Sequence, residues 1–182
     1  MVSVEYRDLL VAIWSDETPG FFRARAEEEF GRATPPSRIY LPFDDRWFVQ
    51  YVDRLDQLNP RELHYVGARL FDSLFQDEIL RLYVHLLQQI RNTGANLRIR
   101  LDIDPPLVAR LPWECLYDTR NATFLSRSTE VTLVRYVRPP AAEPPPVSVR
   151  PPLRVLLVGE TRGEGEVEER AATRVRREAL TR

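Results

Sequence analysis

The sequence predicts an α/β fold, a mixed β-sheet with its helices gathered in the middle of the chain. Three features predict it. An apolar run at residues 9–14 (LLVAIW) and an alternating segment at 22–30 flank the turn residues 16–20 (DETPG). Between Trp47 and Ile90 apolar residues recur every three or four positions, which places them on helix faces. Residues 97–104 (LRIRLDID) then alternate strictly between apolar and charged, the pattern of a strand with one packed face.

Each element has its own signal. The unbroken apolar run at 9–14 reads as a strand buried on both faces. In the next segment Phe22, Ala24 and Ala26 alternate with Arg23, Arg25 and Glu27, as in a half-buried strand. Pro19 and Gly20 between them suit a tight turn, so the pair is expected to form a hairpin. Residues 38–43 (RIYLPF) form a short extended piece. Trp47, Tyr51, Leu55 and Leu58 recur at helical spacing. Asn59-Pro60 then marks a helix start, with Leu63, Val66, Leu70, Leu74, Phe71 and Phe75 on its apolar side. Ile79, Leu82, Leu86 and Ile90 mark a further helical face, and Gly94 is placed to close it. Gly67 interrupts the first of these patterns; a close helix contact or simple drift accounts for it. Pro105-Pro106 ends the LRIRLDID strand, and residues 131–137 form another strand.

The domain division follows composition. Residues 1–138 form an N-terminal subdomain. Residues 139–152 hold seven of the fifteen prolines and read as an extended, polyproline-like linker. Residues 153–182 read as the first strand and helix of an incomplete further core, with LRVLLVG at 153–159 as a buried parallel strand.

Composition excludes several classes of function. The 182 residues are 43% hydrophobic and 29% charged, with a net charge of -1. All 26 basic residues are Arg, and none cluster into the basic face that nucleic acid requires. No apolar run reaches the roughly 18 residues of a membrane span, and the N-terminus carries no secretory pattern. One Cys and two His argue against a disulfide framework or a structural zinc site. The expected setting is cytoplasmic, with no nucleic-acid or membrane partner, no cofactor and no metal.

Few residues point to chemistry. Cys115 lies between apolar neighbours and reads as a small buried residue. His64 and His85 lack a second ligand at helical spacing. Asp102 and Asp104 share a strand face, but Arg98 and Arg100 share it too, so a solvated charge ladder explains them better than paired acid–base work. Asp44-Asp45 and Asp77-Glu78 are the other carboxylate pairs. Asn121 opens a glycosylation sequon without an export signal to support its use. GETRGEGE at 159–166 lacks both the dinucleotide-binding glycine spacing and the Lys-Ser/Thr of a P-loop. The motif that stands out is LPWECLYD at 111–118. There Pro112 is expected to fix the chain, Trp113 to plug the core with Leu116 beside it, and Glu114 to need a partner, an Arg or the N–H groups of a helix start. This set is structural, and no catalytic residue is assigned.

Residues 67–75 (GARLFDSLF), LRIRLDID, LPWECLYD, FLSRSTEVTLVRYVRP and, after the proline-rich gap, PPLRVLLVGE follow one another in an order that resembles the N-terminal half of a CHAT domain. That caspase-like domain is often found beside tetratricopeptide repeats in bacteria. The likeness covers most of residues 5–160. Its most specific element is LPWE, followed closely by FL and a V-R-Y strand. The resemblance implies a caspase-like α/β fold and, in active members, a Cys–His dyad that cleaves peptide bonds. In that family the His, in a His-Gly motif, and the Cys, at a later strand end, both follow a strand like LRVLLVG. The 23 residues after Gly159 contain neither His nor Cys, so neither role passes to any position here. Cys115 fills a variable place in Pro-Trp-Glu-x-Leu and is not that nucleophile. The expectation is therefore the non-catalytic portion of a caspase-like cysteine peptidase, truncated or split, inactive without the half that bears His and Cys. Its partners would be that half, a repeat protein or a second copy. The alternative is a non-enzymatic interaction module that oligomerises or binds a repeat protein.

Overall fold

The computed structural model describes residues 5–136. The proline-rich linker, the strand LRVLLVG, the loop GETRGEGE and the tail helix expected from the sequence all lie outside the described residues. Strand β1 (Tyr6–Ser15) and strand β2 (Phe22–Glu28) form the expected antiparallel hairpin, with Val11 opposite Ala26 and Ile13 opposite Ala24. Gly20 turns the chain at φ 86°, a conformation that residues with a side chain rarely adopt. Asp16 ties the turn by accepting hydrogen bonds from the Thr18 N–H, Arg23 and Arg38. Strand β3 (Ser37–Ile39) adds antiparallel to β2. It is shorter than the six-residue extension read from RIYLPF: the ladder stops at Ile39, and Pro42 has no N–H with which to resume it.

The helices differ from expectation at one place. Helix α1 (Arg46–Val52) is capped by the Asp45 carboxylate, which accepts from the N–H groups of Trp47 and Phe48. It ends at Val52, and Leu55–Gln57 forms only a 3₁₀ turn. Phe48 is its buried residue, while Trp47 is 50% exposed. The Trp47–Tyr51–Leu55–Leu58 stripe is thus not a continuous core face, because the helix is rotated to bury Phe48. Helix α2 (Pro60–Leu74) starts as expected. Asn59 accepts from the N–H groups of Arg61 and Glu62, and Glu62 accepts from the Asn59 N–H, a complete capping box. Helix α3 (Asp77–Thr93) buries Ile79, Leu82, Tyr83, Leu86, Leu87 and Ile90. It closes on Gly94 in the left-handed region at φ 73°.

The chain then returns to the sheet. Strand β4 (Asn96–Ile103) pairs parallel with β1. The short helix α4 (Pro106–Ala109) and a small hairpin of β5 (Tyr117–Asp118) and β6 (Thr123–Phe124) follow. Strand β7 (Val131–Tyr136) pairs parallel with β4. The sheet order is β3-β2-β1-β4-β7, so the fold is α/β with a mixed sheet.

One face of the sheet forms the core. Leu9, Val11, Ile13, Ala24, Ala26, Leu97, Ile99 and Leu101 are all essentially inaccessible, and α3 packs directly over β1, β2 and β4. Burying each large aliphatic side chain contributes about 1.5–3 kcal/mol before entropy is counted. The opposite face carries Leu10, Ala12 and Trp14 from β1, all only half-buried, and Val134 from β7, which is exposed. The run at 9–14 is therefore buried on one face and not on both. Asp8 lies on that second face as well. It accepts two hydrogen bonds from Arg98 at 2.7 Å and one from Arg100 at 3.3 Å. The Arg98 guanidinium, acting against the cost of desolvation, lowers the Asp8 pKa below the ordinary carboxylate value. Among the described residues no helix is long and apolar enough to cross a membrane.

Candidate functional site

The Pro-Trp-Glu segment is the most tightly built feature outside the sheet. Leu111 and Pro112 are buried, and Trp113–Cys115 makes one turn of 3₁₀ helix. Trp113 has no exposed surface, and its indole N–H donates to the Val108 carbonyl at 2.9 Å. A buried indole without such an acceptor would carry a desolvation cost of about 1–3 kcal/mol. Leu116 is also fully buried. Its carbonyl accepts from the Leu125 N–H at 2.9 Å, which fastens the segment to the stretch after the β5–β6 hairpin.

Glu114 points outward. Its carboxylate takes a fork of two hydrogen bonds from Arg135 on β7, at 2.6 and 2.8 Å. The same guanidinium donates to the Leu111 carbonyl at 3.0 Å and to the Ala109 carbonyl. Arg135 thus binds the turn from both sides and fixes it to β7, the outermost parallel strand among the described residues. The fork lowers the Glu114 pKa and raises that of Arg135, so the pair stays ionised. Glu114 therefore finds its partner in an Arg and caps no helix.

Helix α2 forms the other wall. Gly67 faces the Cys115 carbonyl and Tyr117; a Cβ on Gly67 would come within 2.1 Å of that oxygen and 2.8 Å of the Tyr117 Cβ. Of the two accounts open from the sequence, the close contact is the one the structure supplies. One turn earlier, His64 packs against the rings of Tyr117 at 4.6 Å and Phe124 at 5.0 Å, which also meet each other at 4.9 Å. Asp118 ends the motif as a fully buried carboxylate. It accepts from Asn121 at 2.7 Å, from the Arg120 N–H and side chain, and from the Tyr83 hydroxyl at 3.3 Å. Burial pushes its pKa up, but the Asn121 and Arg120 hydrogen bonds more than offset this, and the net shift is downward. Tyr83 is raised, chiefly by burial and then by the Asp118 charge.

The remaining sequence candidates are dispersed. Burial, then the Glu114 charge, raises the Cys115 thiol pKa, the reverse of what a nucleophile needs. His85 contacts Gln89 at 2.9 Å on α3, away from His64. Asp45 caps α1, and Glu78 pairs with Arg81 in the first turn of α3. Asp102 and Asp104 line an open crevice of about 520 Å³ at the carboxyl ends of the parallel strands, with Trp14 and Tyr136. Among the described residues no group of three or more His, Cys, Asp or Glu is placed to hold a metal ion. Two parts escaped the sequence reading, Arg135 and the Asp118–Arg120–Asn121 cluster. The partner of Glu114 lies 21 positions away, and a buried Asp in YDTRN resembles any polar turn. No family model matches the chain, and no curated protein or solved structure matches it either.

Proposed function

We propose that this chain is the non-catalytic, N-terminal scaffold of a CHAT-type, caspase-like peptidase module. The observation that supports it most is the Pro-Trp-Glu turn, locked between α2 and β7 through Trp113 and the Glu114–Arg135 fork. The turn holds the third parallel strand in place, and the second face of the sheet carries half-exposed apolar side chains. In this reading the catalytic His and Cys come from outside these 182 residues, in the same polypeptide or in a second chain. The covering half lies on the face that bears Leu10, Trp14 and Val134. The setting is cytoplasmic, where a lone thiol stays reduced.

The test is light scattering coupled to size exclusion on the purified chain, alone and co-expressed with a chain that carries a His-Gly motif and a strand-end Cys. A stoichiometric complex with peptidase activity, absent from either part alone, is expected. A folded homo-oligomer that ignores such chains would instead favour an interaction module.

A further inference from the structure

Helix α1 and the 3₁₀ turn after it join the core more lightly than α2 or α3. Among the described residues, Phe48 is the one buried position between 44 and 60, whereas α2 and α3 each bury six residues. Tyr51, Val52 and Leu58 are packed only in part. The seven residues of α1 are also fewer than the roughly 12–15 that a helix needs to persist alone. The helix therefore depends on its ties to α2.

Those ties converge on one carboxylate. Asp45 accepts from the N–H groups of Trp47 and Phe48 and so starts α1. It also accepts from the Tyr65 hydroxyl on α2 and pairs with Arg69, again on α2, at 3.5 Å. One side chain thus caps the helix and fastens it to its neighbour. The other ties are slighter. Tyr51 meets Tyr65 edge to face at 5.8 Å. Arg54 reaches Glu62 at 3.3 Å, but its Nε is buried without an acceptor, and opening would return that N–H to water.

The surroundings do not need α1 in order to stay folded. On one side Leu41 and Pro42 are buried. On the other, Asn59 and Glu62 start α2 through their own capping box, which does not use Arg54. Segments with few buried contacts between two such fixed points open before the whole molecule does.

We propose that residues 46–57 form a strap that opens as one unit while the sheet, α2 and α3 stay folded, with Asp45 as its clasp. Opening exposes Phe48 and the apolar seat that it leaves. The experiment is native-state hydrogen exchange of the full 182-residue chain at increasing urea. It is read at the Val49 and Asp53 amides, which bond within this segment, and at the core amides of α3. The strap amides should exchange at least tenfold faster than those of α3, and their exchange should depend less steeply on urea, because less surface is exposed. Tyr65→Phe keeps both the ring and the cap and removes the clasp hydroxyl. It should speed strap exchange about tenfold, the effect of losing a hydrogen bond to a charged group. Asp45→Ala, which also removes the cap, should speed it further; should that variant fail to fold, Tyr65→Phe decides alone. Strap amides that match α3 in rate and urea dependence would show that the segment opens only with the whole molecule and would overturn the proposal. Unchanged strap exchange in Tyr65→Phe would overturn it too.

Discussion

Gly67 shows how much one residue can constrain this fold. Gly67→Ala would gain about 1 kcal/mol in helix propensity. The added Cβ, however, meets the Cys115 carbonyl at 2.1 Å, so backbone must move. A net loss of about 1–3 kcal/mol is expected in urea unfolding, as for an overpacked core. A stabilised variant would show that the turn is free to shift. The Glu114–Arg135 fork gives an asymmetric prediction. Glu114 is largely exposed, so Glu114→Gln should cost under about 1 kcal/mol. Arg135→Ala also strips donors from the Leu111 and Ala109 carbonyls and should cost about 1–3 kcal/mol. Asp118 sets an acid limit. Its folded pKa lies below the ordinary 3.8, so its contribution is complete above that value and is lost as pH falls through the lowered one. Unfolding midpoints followed from neutral pH into acid should drop steeply below 3.8 in the wild type. Asp118→Asn, weaker at neutral pH, should show a shallower fall; parallel curves would remove Asp118 from the account.

Helices and strands were legible from sequence wherever local chemistry decides them. The Asn59-Pro60 start of α2 is a capping box, and Gly94 closes α3 in the left-handed region. Asn59→Ala should accordingly cost about 1 kcal/mol, read from denaturant midpoints, and no change would mean that tertiary contacts alone hold the helix start. The hairpin follows from the turn residues at 16–20, and β2 and β4 follow from alternation, which determines the buried face directly; the unbroken apolar run of β1 does not, and only one of its faces is buried. Helix α1 was misread because spacing fixes only that a stripe exists, not which of two stripes turns inward. Phe48 wins over Trp47 through contacts with the rest of the core. The candidate site was legible only in part. Trp113 and Glu114 stand out as residue types, but Arg135, Gly67 and Asp118 acquire their roles through partners that folding brings near. Asp8 and Arg98, 90 positions apart, illustrate the same limit.

At the scale of the whole molecule, the two faces of the sheet differ. One is closed by α3; the other combines Leu10, Trp14 and Val134 with the Asp8–Arg98–Arg100 cluster. The scaffold reading requires that second face to be an interface. Val134→Arg should therefore leave the isolated chain folded, since Val134 is already exposed, and should abolish assembly with a chain that bears the His and Cys. The most direct measurement is hydrogen–deuterium exchange along β1, β4 and β7, with and without that second chain. The account predicts slower exchange along β7 and closure around Leu10 and Trp14 on assembly, with α2 and the Pro-Trp-Glu turn unchanged. A complex that forms while these strands exchange as freely as before would contradict it.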